Sequence, residues 1–388
     1  MDYYKLFKTR TCPHELDLVI AFTISTANGT AKLNSVGATS INWKLFYRLA
    51  IRHRLYQQIY PNLKTVDTIP TDIRSHLSRL CDNDKIKLLS IAGETTRISN
   101  TFTKANINHY FIKGVVLAKL AYGAYDARTC KDIDVWIRQQ DLFEAREYLL
   151  NLGYIESYPS YNLRGKKLKY YLNHLHEVTF FNYKSKVQVE LHVSLNYIGI
   201  DYYSFEQVPS RTVQIGNKII PTMTTEYHLL YLMIHGAIHG WMRLRWLYDI
   251  EKFLNSITID LNEVMQLAVT IKCEHIVVLC LTLLQQLFNN NIIKQINYPI
   301  KHLPHKRINI LSANARQFVI ADYEFNVGIK HIMFFKYRMF LIKIAVKGKK
   351  IQALANDLFK IDKLFSYINF SDKLFFMYYL LYPFWVVK

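Results

Sequence analysis

The chain has 388 residues, of which 51% are hydrophobic, so it is long enough to bury more than one core and its composition excludes a disordered chain. Its 49 lysines and arginines exceed its 30 aspartates and glutamates, for a net charge of +19. This charge favours an anionic partner: a nucleotide, nucleic acid or an anionic membrane surface. The five cysteines are widely spaced without a Cys-x-x-Cys pair, which argues against a disulfide framework and a structural zinc site and favours the cytoplasm.

No secretory or membrane-spanning segment is predicted. The N-terminus, MDYYKLFKTRTCPHELDL, lacks the continuous apolar core of a signal peptide. No run reaches the roughly 18 to 20 apolar residues of a transmembrane helix. The closest is LFFMYYLLYPFWVVK at 374–388, which Pro383 interrupts. We expect this segment to pack in a core, with contact at a membrane surface as the alternative.

The first hundred residues are predicted to be mostly helical. Residues 41–60 carry apolar side chains at helical spacing, with Asn42 as the expected N-cap and Pro61 as the stop. Residues 85–107 continue this pattern. Together they predict an N-terminal helical region over residues 1–104.

Between residues 105 and 222, short aromatic and β-branched segments alternate with helical ones. The predicted strands are HYFIKG, KDIDVWI, EVTFFNY and VQVELHVSL, the last two forming an antiparallel hairpin around the turn KSK. An amphipathic helix over 141–154 is predicted to be capped by Asp141. One long, regular helix is expected over 225–254, with further helices to the end. The predicted class is therefore α+β, with a small mixed-sheet core over 105–222 and a C-terminal helical region over 223–388.

The segment KDIDVWI places two carboxylates in what is otherwise an apolar strand. Because side chains alternate along a strand, Asp132 and Asp134 should project from one face, with Ile133 and Val135 on the other. Two carboxylates this close repel each other unless a cation lies between them, and Mg²⁺ prefers such oxygen ligands. The alternative is an amphipathic strand whose carboxylates face water.

A third carboxylate and a glycine turn favour the metal interpretation. Glu190 stands among apolar residues in VQVELHV, where it is costly to bury without a partner. Three carboxylates on neighbouring strands could hold two Mg²⁺ ions, which activate an attacking oxygen and stabilise a leaving pyrophosphate. Gly114, where a strand ends and a helix begins, would offer backbone N–H groups to phosphates.

The order of these pieces resembles a known family. Glycine, then Asp-x-Asp, then an acidic residue on a later strand resembles the DNA-polymerase-β-like nucleotidyltransferase superfamily. More narrowly, the chain resembles the bacterial nucleotidyltransferase family of largely unassigned substrate. The matching segments are NWKLFYRLAIRHRL, FIKGVVLAKLAY, KDIDVWI, DLFEAREYLLNLGY, VELHVSL, HGAIHGWMRLRWLYDI and, at the end, YYLLYPFWVVK.

The resemblance implies a role for each matching residue. Asp132 and Asp134 match the metal-binding Asp-x-Asp, and Glu190 matches the third carboxylate, which aligns the acceptor or acts as its base. The remaining matches are implied to serve the nucleotide: Lys113 and Gly114 of the phosphate-binding turn, Arg128 before the aspartates, and His192 after the third carboxylate. The implied cofactors are Mg²⁺, as two ions, and an NTP as co-substrate. Val115 departs from the superfamily, which usually has serine after the glycine.

Two other motifs are weaker. His235 and His239 have a spacing that suits zinc, but Gly236 replaces the glutamate of His-Glu-x-x-His. The resemblance instead implies that four residues line the active-site cleft or stabilise the helical region: His239, Arg243, Arg245 and Asp249. Residues 330–350 mix cations and aromatics, which suits a core helix with a solvated basic face, a peripheral membrane helix, or an RNA contact.

The predicted function is Mg²⁺-dependent transfer of a nucleoside monophosphate from an NTP to an unidentified acceptor: a small molecule, a glycan or a peptide. A degenerate nucleotide-binding protein without turnover is the first alternative, because of Val115. An RNA-directed nucleotidyltransferase is the second, because of the net charge of +19.

Overall fold

The structure is a computed structural model that describes residues 12–158, 165–174, 176–197, 199–296, 305–321, 327–346, 348–350 and 361–386. Its helices are α1 (His14–Ile24), α2 (Thr26–Val36), α3 (Trp43–Arg52), α4 (Tyr56–Leu63), α5 (Thr71–Lys104), α6 (Gly114–Tyr122), α7 (Leu142–Asn151), α8 (Gly165–His174), α9 (Thr225–Ile238), α10 (Leu244–Ser256), α11 (Leu261–Thr270), α12 (Glu274–Phe288), α13 (His305–Ile320), α14 (Val327–Ile344) and α15 (Met377–Val386). Its strands are β1 (His109–Phe111), β2 (Asp132–Ile137), β3 (Ile155–Tyr158), β4 (Glu177–Asn182), β5 (Val187–His192), β6 (Ser210–Ile215) and β7 (Lys218–Met223).

The predicted α+β class with a small mixed sheet is confirmed. Five strands form one sheet in the order β1-β2-β5-β4-β3. Strands β2 and β5 are parallel, and the other neighbours are antiparallel. Strands β6 and β7 form a separate hairpin, which is held beside β1 because the Thr222 hydroxyl donates to the Phe111 carbonyl at 2.7 Å. The predicted strands that contain residues 132 and 187 are thus neighbours, and their pairing brings the predicted carboxylates together.

The chain divides into two compact units, each discontinuous in sequence. The first comprises Met1–Leu89, Leu117–Cys130 and Thr225–Ile344, and the second comprises Ser90–Val116, Lys131–Thr224 and Ala345–Lys388. All named strands belong to the second unit. The domain boundaries after residues 104 and 222 stay a prediction. Among the described residues, no helix has the length and apolar character needed to traverse a bilayer.

The predicted helix over residues 41–60 is two helices. The Asn42 cap is confirmed, because its side chain accepts the Leu45 N–H at 3.0 Å. The chain then breaks where Arg54 has a φ of +54°, a left-handed conformation that cannot continue a helix. Helix α4 starts only at Tyr56 and includes Pro61, so the prediction that Pro61 ends the helix is wrong.

The predicted continuous helix over 225–254 is wrong for a related reason. Gly240 and Trp241 have φ values of +58° and +55°, so α9 and α10 are separate helices. The buried Trp241 ring lies against Gly236, where any Cβ would overlap it. This packing explains why Gly236, the first glycine of HGAIHG, cannot be replaced by a residue with a side chain. The predicted Asp141 cap is also wrong, because that carboxylate accepts from Arg138 Nε at 2.7 Å instead of capping α7.

Candidate active site

The parallel pairing of β2 with β5 sets the carboxylates side by side. Asp134 lies opposite Glu190, and Asp132 lies opposite Gln188. Since alternate residues share a face and paired residues match, Asp132, Asp134 and Glu190 lie on one face of the sheet. The register is fixed because the other face is apolar and buried, so a slip by one residue would expose it. That face is formed by Ile133, Val135, Val189 and Leu191.

Asp134 is the most buried of the three carboxylates, with 3% of its surface exposed. Its Oδ1 lies 2.5 Å from Lys113 Nζ and 3.1 Å from His192 Nε2. Burial raises the pKa of Asp134, but the Lys113 charge and the His192 hydrogen bond outweigh it and hold that pKa well below its usual range. Burial lowers the pKa of Lys113, but the Asp134 charge raises it above the ordinary value. The two therefore form a buried ion pair at neutral pH.

Glu190 has the opposite electrostatic environment. Burial first, then repulsion from Asp134, Glu177 and Asp132, raises its pKa to about 8 despite the attraction of Lys113. Its Oε1 accepts from Gln188 Nε2 at 3.0 Å. Glu190 consequently holds a proton at neutral pH unless a cation approaches it.

His192 lies between two carboxylates. Its Nε2 faces Asp134, and its Nδ1 lies 3.4 Å from Glu177 Oε2. Burial lowers the pKa of His192, but the Asp134 hydrogen bond and the Glu177 charge raise it above the ordinary value. Glu177 lies directly opposite His192 in the β4–β5 pair. It was not among the predicted site residues, and the hairpin pattern was the signal that could have found it.

The Lys113–Gly114 turn connects β1 to α6 beside this cluster. Gly114 has a φ of +62°, and a Cβ there would lie 3.3 Å from the Asp132 carbonyl oxygen. The turn is tied to β2, because the Ile112 N–H donates to the Asp134 carbonyl at 3.2 Å. A helix that starts at such a turn presents free N–H groups to an anion. The Val115 side chain is buried and offers no hydroxyl.

Arg128 belongs to the first unit, whereas the other six predicted site residues belong to the second. Its guanidinium is buried and forks onto Asp249, with Nε and Nη2 donating to Oδ1 and Oδ2 at 2.7 and 2.8 Å. The Tyr122 hydroxyl donates to the same Oδ1 at 2.8 Å. Burial lowers the pKa of Arg128, but the Asp249 charge raises it above its ordinary value. Its predicted contact with nucleotide phosphate stays a prediction.

The donor set fits a divalent cation. Within the described ranges, the one group of three side chains placed to share a metal ion is Asp134, Glu190 and His192, whose ligand atoms lie within 4.8 Å of one another. Two carboxylates suit Mg²⁺, while an imidazole also suits Mn²⁺ or Zn²⁺. The predicted set had Asp132 in place of His192. The Lys113 ammonium now neutralises Asp134 Oδ1, so a metal ion at that oxygen would have to displace it.

Comparison with known proteins identifies the family. The sequence model of the family described as "Uncharacterised nucleotidyltransferase" matches residues 39–289, well over half of the chain. The chain belongs to this family. The predicted resemblance is thereby confirmed, and all seven predicted site residues lie inside the matched segment. The match ends at residue 289, so the resemblance of 378–388 to a closing segment stays a prediction.

Membership in this nucleotidyltransferase family supports nucleotidyl transfer as the class of chemistry, without naming donor or acceptor. No curated protein matches the sequence significantly. Among solved structures, an antigenic nucleotidyltransferase-like protein from Paracoccidioides brasiliensis is similar over 43% of this chain and 75% of its own, at 15% identity and a TM-score of 0.27. That TM-score is too low to establish a shared fold.

Proposed function

We propose that this nucleotidyltransferase-family protein transfers a nucleoside monophosphate from an NTP to an acceptor hydroxyl, phosphate or amine. The acceptor atom bonds to the α-phosphorus, the bond from that phosphorus to the bridging oxygen breaks, and pyrophosphate leaves. The acceptor proton passes to a base. The observation that carries this proposal is the Asp134–Glu190 pair on adjacent parallel strands, inside the segment that matches the family.

Asp134 and Glu190, with Asp132 on the same face, would hold the Mg²⁺ ions that the family resemblance implies. When bound, Mg²⁺ neutralises triphosphate charge and activates the attacking oxygen. Burial raises the pKa of Glu190. The negative charges of Asp134, Glu177 and Asp132 raise that pKa further, and a cation would relieve the repulsion.

The remaining residues bind and position the reactants. The Lys113 ammonium and the N–H groups at the Gly114 turn bind phosphate oxygens, and the turn keeps them in place. Once Glu190 has lost its own proton to a bound cation, its carboxylate would accept the acceptor proton. His192 touches Asp134 and Glu177 and orients the Asp134 carboxylate.

Calorimetric titration of the four NTPs tests the donor, with and without Mg²⁺, in wild type and Asp134→Asn. We expect one or more NTPs to bind only with Mg²⁺, and that binding to be lost in the variant. Pyrophosphate release from the bound NTP, in a pool of candidate acceptors, then tests transfer. Equal NTP binding by the wild type and the variant would refute the site.

Nucleotide binding without turnover is the second candidate. It is favoured by the buried Val115 after the glycine and by the Lys113–Asp134 ion pair, which neutralises the aspartate charge without a metal. Mg²⁺-dependent binding with no pyrophosphate release in any acceptor pool would establish it over transfer.

A further inference from the structure

A basic cleft on the first unit has no part in the proposed reaction. It is an open cleft of about 410 Å³ between the end of α4 and the beginning of α5. Three cationic and three hydroxyl-bearing side chains line it, and no carboxylate does: Tyr60, Lys64, Arg74, Ser75, Ser78 and Arg79. A cavity of this size is in the range of small-molecule sites.

Helix geometry fixes these side chains around the cleft. The four residues from α5 follow a spacing of i, i+1, i+4 and i+5, so they share one helix face. The opposite face of α5 holds Ile73 and Leu77, which are buried in the core. On α4, Ile59 and Leu63 are buried in the same way. Because both helices bury their apolar faces in the core, neither can rotate about its axis. The cationic residues therefore stay on the sides of the helices that face the cleft.

The charge of the cleft is unbalanced. No ion pair joins Lys64, Arg74 or Arg79 to a carboxylate within the ranges that the structure describes. Other arginines of the chain do pair in this way, such as Arg97 with Glu94 and Arg138 with Asp141. Like charges around one void repel, and an anion in the void would relieve that repulsion.

We propose that this cleft binds a small ligand that carries more than one phosphate group. Guanidinium groups fork onto phosphate oxygens, and an ammonium adds a further positive charge. The serine hydroxyls supply neutral donors between the cations. A single phosphate group could contact only some of the three cationic side chains. A ligand with two or three linked phosphate groups therefore fits the cleft better.

Calorimetric titration with tripolyphosphate in the presence of EDTA tests this proposal. The wild type should bind it, and Arg74→Gln/Arg79→Gln should bind at least about tenfold more weakly, because each lost contact joins charged groups. The control is Lys85→Gln/Lys104→Gln, which removes the same charge from exposed positions of the same helix. The control should bind as the wild type does.

Three results would overturn the proposal. One is the absence of binding by the wild type at millimolar tripolyphosphate. Another is equal weakening in the control, which would show a diffuse charge effect. The last is binding of single-stranded RNA, but not of tripolyphosphate, that depends on Arg74 and Arg79. Because EDTA removes metal, Asp134→Asn should leave this binding unchanged, which separates the cleft from the candidate active site.

A second surface is formed by α13 and α14 and rests on different observations. The two helices contain no aspartate or glutamate. Their lysines and arginines are Lys306, Arg307, Arg316, Lys330, Lys336, Arg338 and Lys343. The acidic residues of the connection, Asp322 and Glu324, lie outside the described residues.

Large apolar side chains are exposed on this acid-free helix pair. The exposed fractions are 55% for Phe334, 67% for Phe335, 37% for Met339 and 43% for Ile310. The residues adjoining them, Met333 and Phe340, are buried, so the predicted core role of this segment holds for one side only. The Arg338 guanidinium lies over the Phe334 ring, 4.6 Å from its centroid.

The geometry points to a peripheral contact with an anionic lipid surface. Exposed apolar side chains on two helices whose own charged residues are all basic match the chemistry of a helix that lies at a membrane interface. Stacking on RNA bases would use the phenylalanines, but it would leave the aliphatic Met339 and Ile310 unmatched.

Vesicle flotation tests this contact with phosphatidylcholine alone and with 30% phosphatidylglycerol added. The wild type should float only with the anionic vesicles, and Phe334→Ser/Phe335→Ser should lose at least about tenfold in partitioning. The control is Ile86→Ser/Leu89→Ser, which removes two apolar side chains of α5 that are at least comparably exposed, at 76% and 61%. This variant should float normally. Equal losses in both variants, or loss of RNA binding without loss of flotation, would overturn the assignment.

Discussion

Two buried aspartates of the molecule, Asp249 and Asp134, have basic partners, but they differ in how many of their carboxylate oxygens accept a donor. In the first unit, Asp249 uses both oxygens: Arg128 forks onto them at 2.7 and 2.8 Å, and the Tyr122 hydroxyl adds a third donor at 2.8 Å. In the second unit, the described contacts of Asp134 go to Oδ1 alone, from Lys113 and His192. Asp249 is therefore arranged as a brace, whereas Asp134 keeps capacity for another cation.

The neighbours of each aspartate sharpen this contrast. Near Asp249 lies a second buried arginine besides Arg128, namely Arg245, so positive charge is in excess. Burial together with the Arg128 charge lowers the pKa of Arg245 to about 9. Around Asp134 there are three more carboxyl groups against two basic groups, so acidic groups are in excess. The carboxyl groups are those of Glu190, Glu177 and Asp132, and the basic groups are those of Lys113 and His192. A strongly basic protein that concentrates carboxylates at one sheet face has a site that attracts cations.

The largest expected effect comes from Asp134→Asn, which we expect to abolish Mg²⁺-dependent NTP binding and turnover. The fold should survive, because Asp134 is one cause of the raised pKa of Glu190. Burial still raises the pKa of Glu190, but loss of the Asp134 charge lowers that pKa and so favours an anionic Glu190 beside Lys113. Activity and urea unfolding would be measured together. Full activity would disprove the metal assignment. An unfolded variant would show that Asp134 stabilises the fold, as Asp249 is expected to do.

Asp249→Asn should have the opposite profile. The charges that act on Arg128 come from Asp249, Tyr122 and Cys130, so no second carboxylate replaces the lost one. Leaving a buried cation unpaired costs about 3–5 kcal/mol. Urea unfolding would show this loss, with the exposed Asp67→Asn as control. The double variant Asp249→Leu/Arg128→Met should recover much of the stability, and failure to recover it would assign the cost to packing rather than charge.

Gly114→Ala should have an intermediate effect. A side chain at a φ of +62° costs about 1–2 kcal/mol, and the new Cβ would also approach the Asp132 carbonyl at 3.3 Å. We therefore expect lower stability and weaker NTP binding. The matched control is Gly93→Ala in α5, where a Cβ meets nothing within 4 Å and alanine favours the helix by about 0.5–1 kcal/mol. Normal NTP binding by Gly114→Ala would exclude the turn from the phosphate site.

Local patterns predicted the parts of the site but not its assembly. Alternation placed Asp132 and Asp134 on one strand face, and the surrounding valines predicted the strand of Glu190. Nothing in the sequence states that these strands pair in parallel, because that pairing crosses the intervening helices and hairpin. The partner of Arg128 is similarly remote, since Asp249 follows it by 121 residues.

One missed residue has a local cause. The predicted turn KSK would pair Tyr183 with Val187, but Asn182 pairs with Val187 instead. The Asn182 side chain accepts the N–H groups of Lys184 and Ser185 at 2.9 and 3.1 Å, which stabilises a turn one residue longer. That register brings Glu177 opposite His192. The helix break at Arg54 was missed because arginine does not signal a positive φ, whereas Gly240 did offer such a signal before Trp241.

The most gradual expected effect is a pH dependence from His53, a buried group of the first unit. Its Nδ1 accepts the Leu244 N–H at 3.2 Å, so this nitrogen must be unprotonated in the folded chain. Burial, then the charges of Arg52 and Arg243, lowers the pKa of His53 well below its ordinary value of 6.5. A folded pKa below the unfolded one means that the contribution to stability is complete above pH 6.5 and declines as the pH falls below it.

Each proton taken up only by the unfolded chain costs about 1.4 kcal/mol per pH unit. His53→Asn would keep an acceptor for the Leu244 N–H without a group that titrates in this range. Urea unfolding of both proteins from pH 7.5 to 5 should therefore show curves that converge as the pH falls, because only the wild type loses the His53 contribution. If the stabilities of the two proteins instead changed in parallel with pH, His53 would be protonated in the folded state. The first unit would then hold an unpaired positive charge at the start of α10, and His53 would not be a neutral acceptor there.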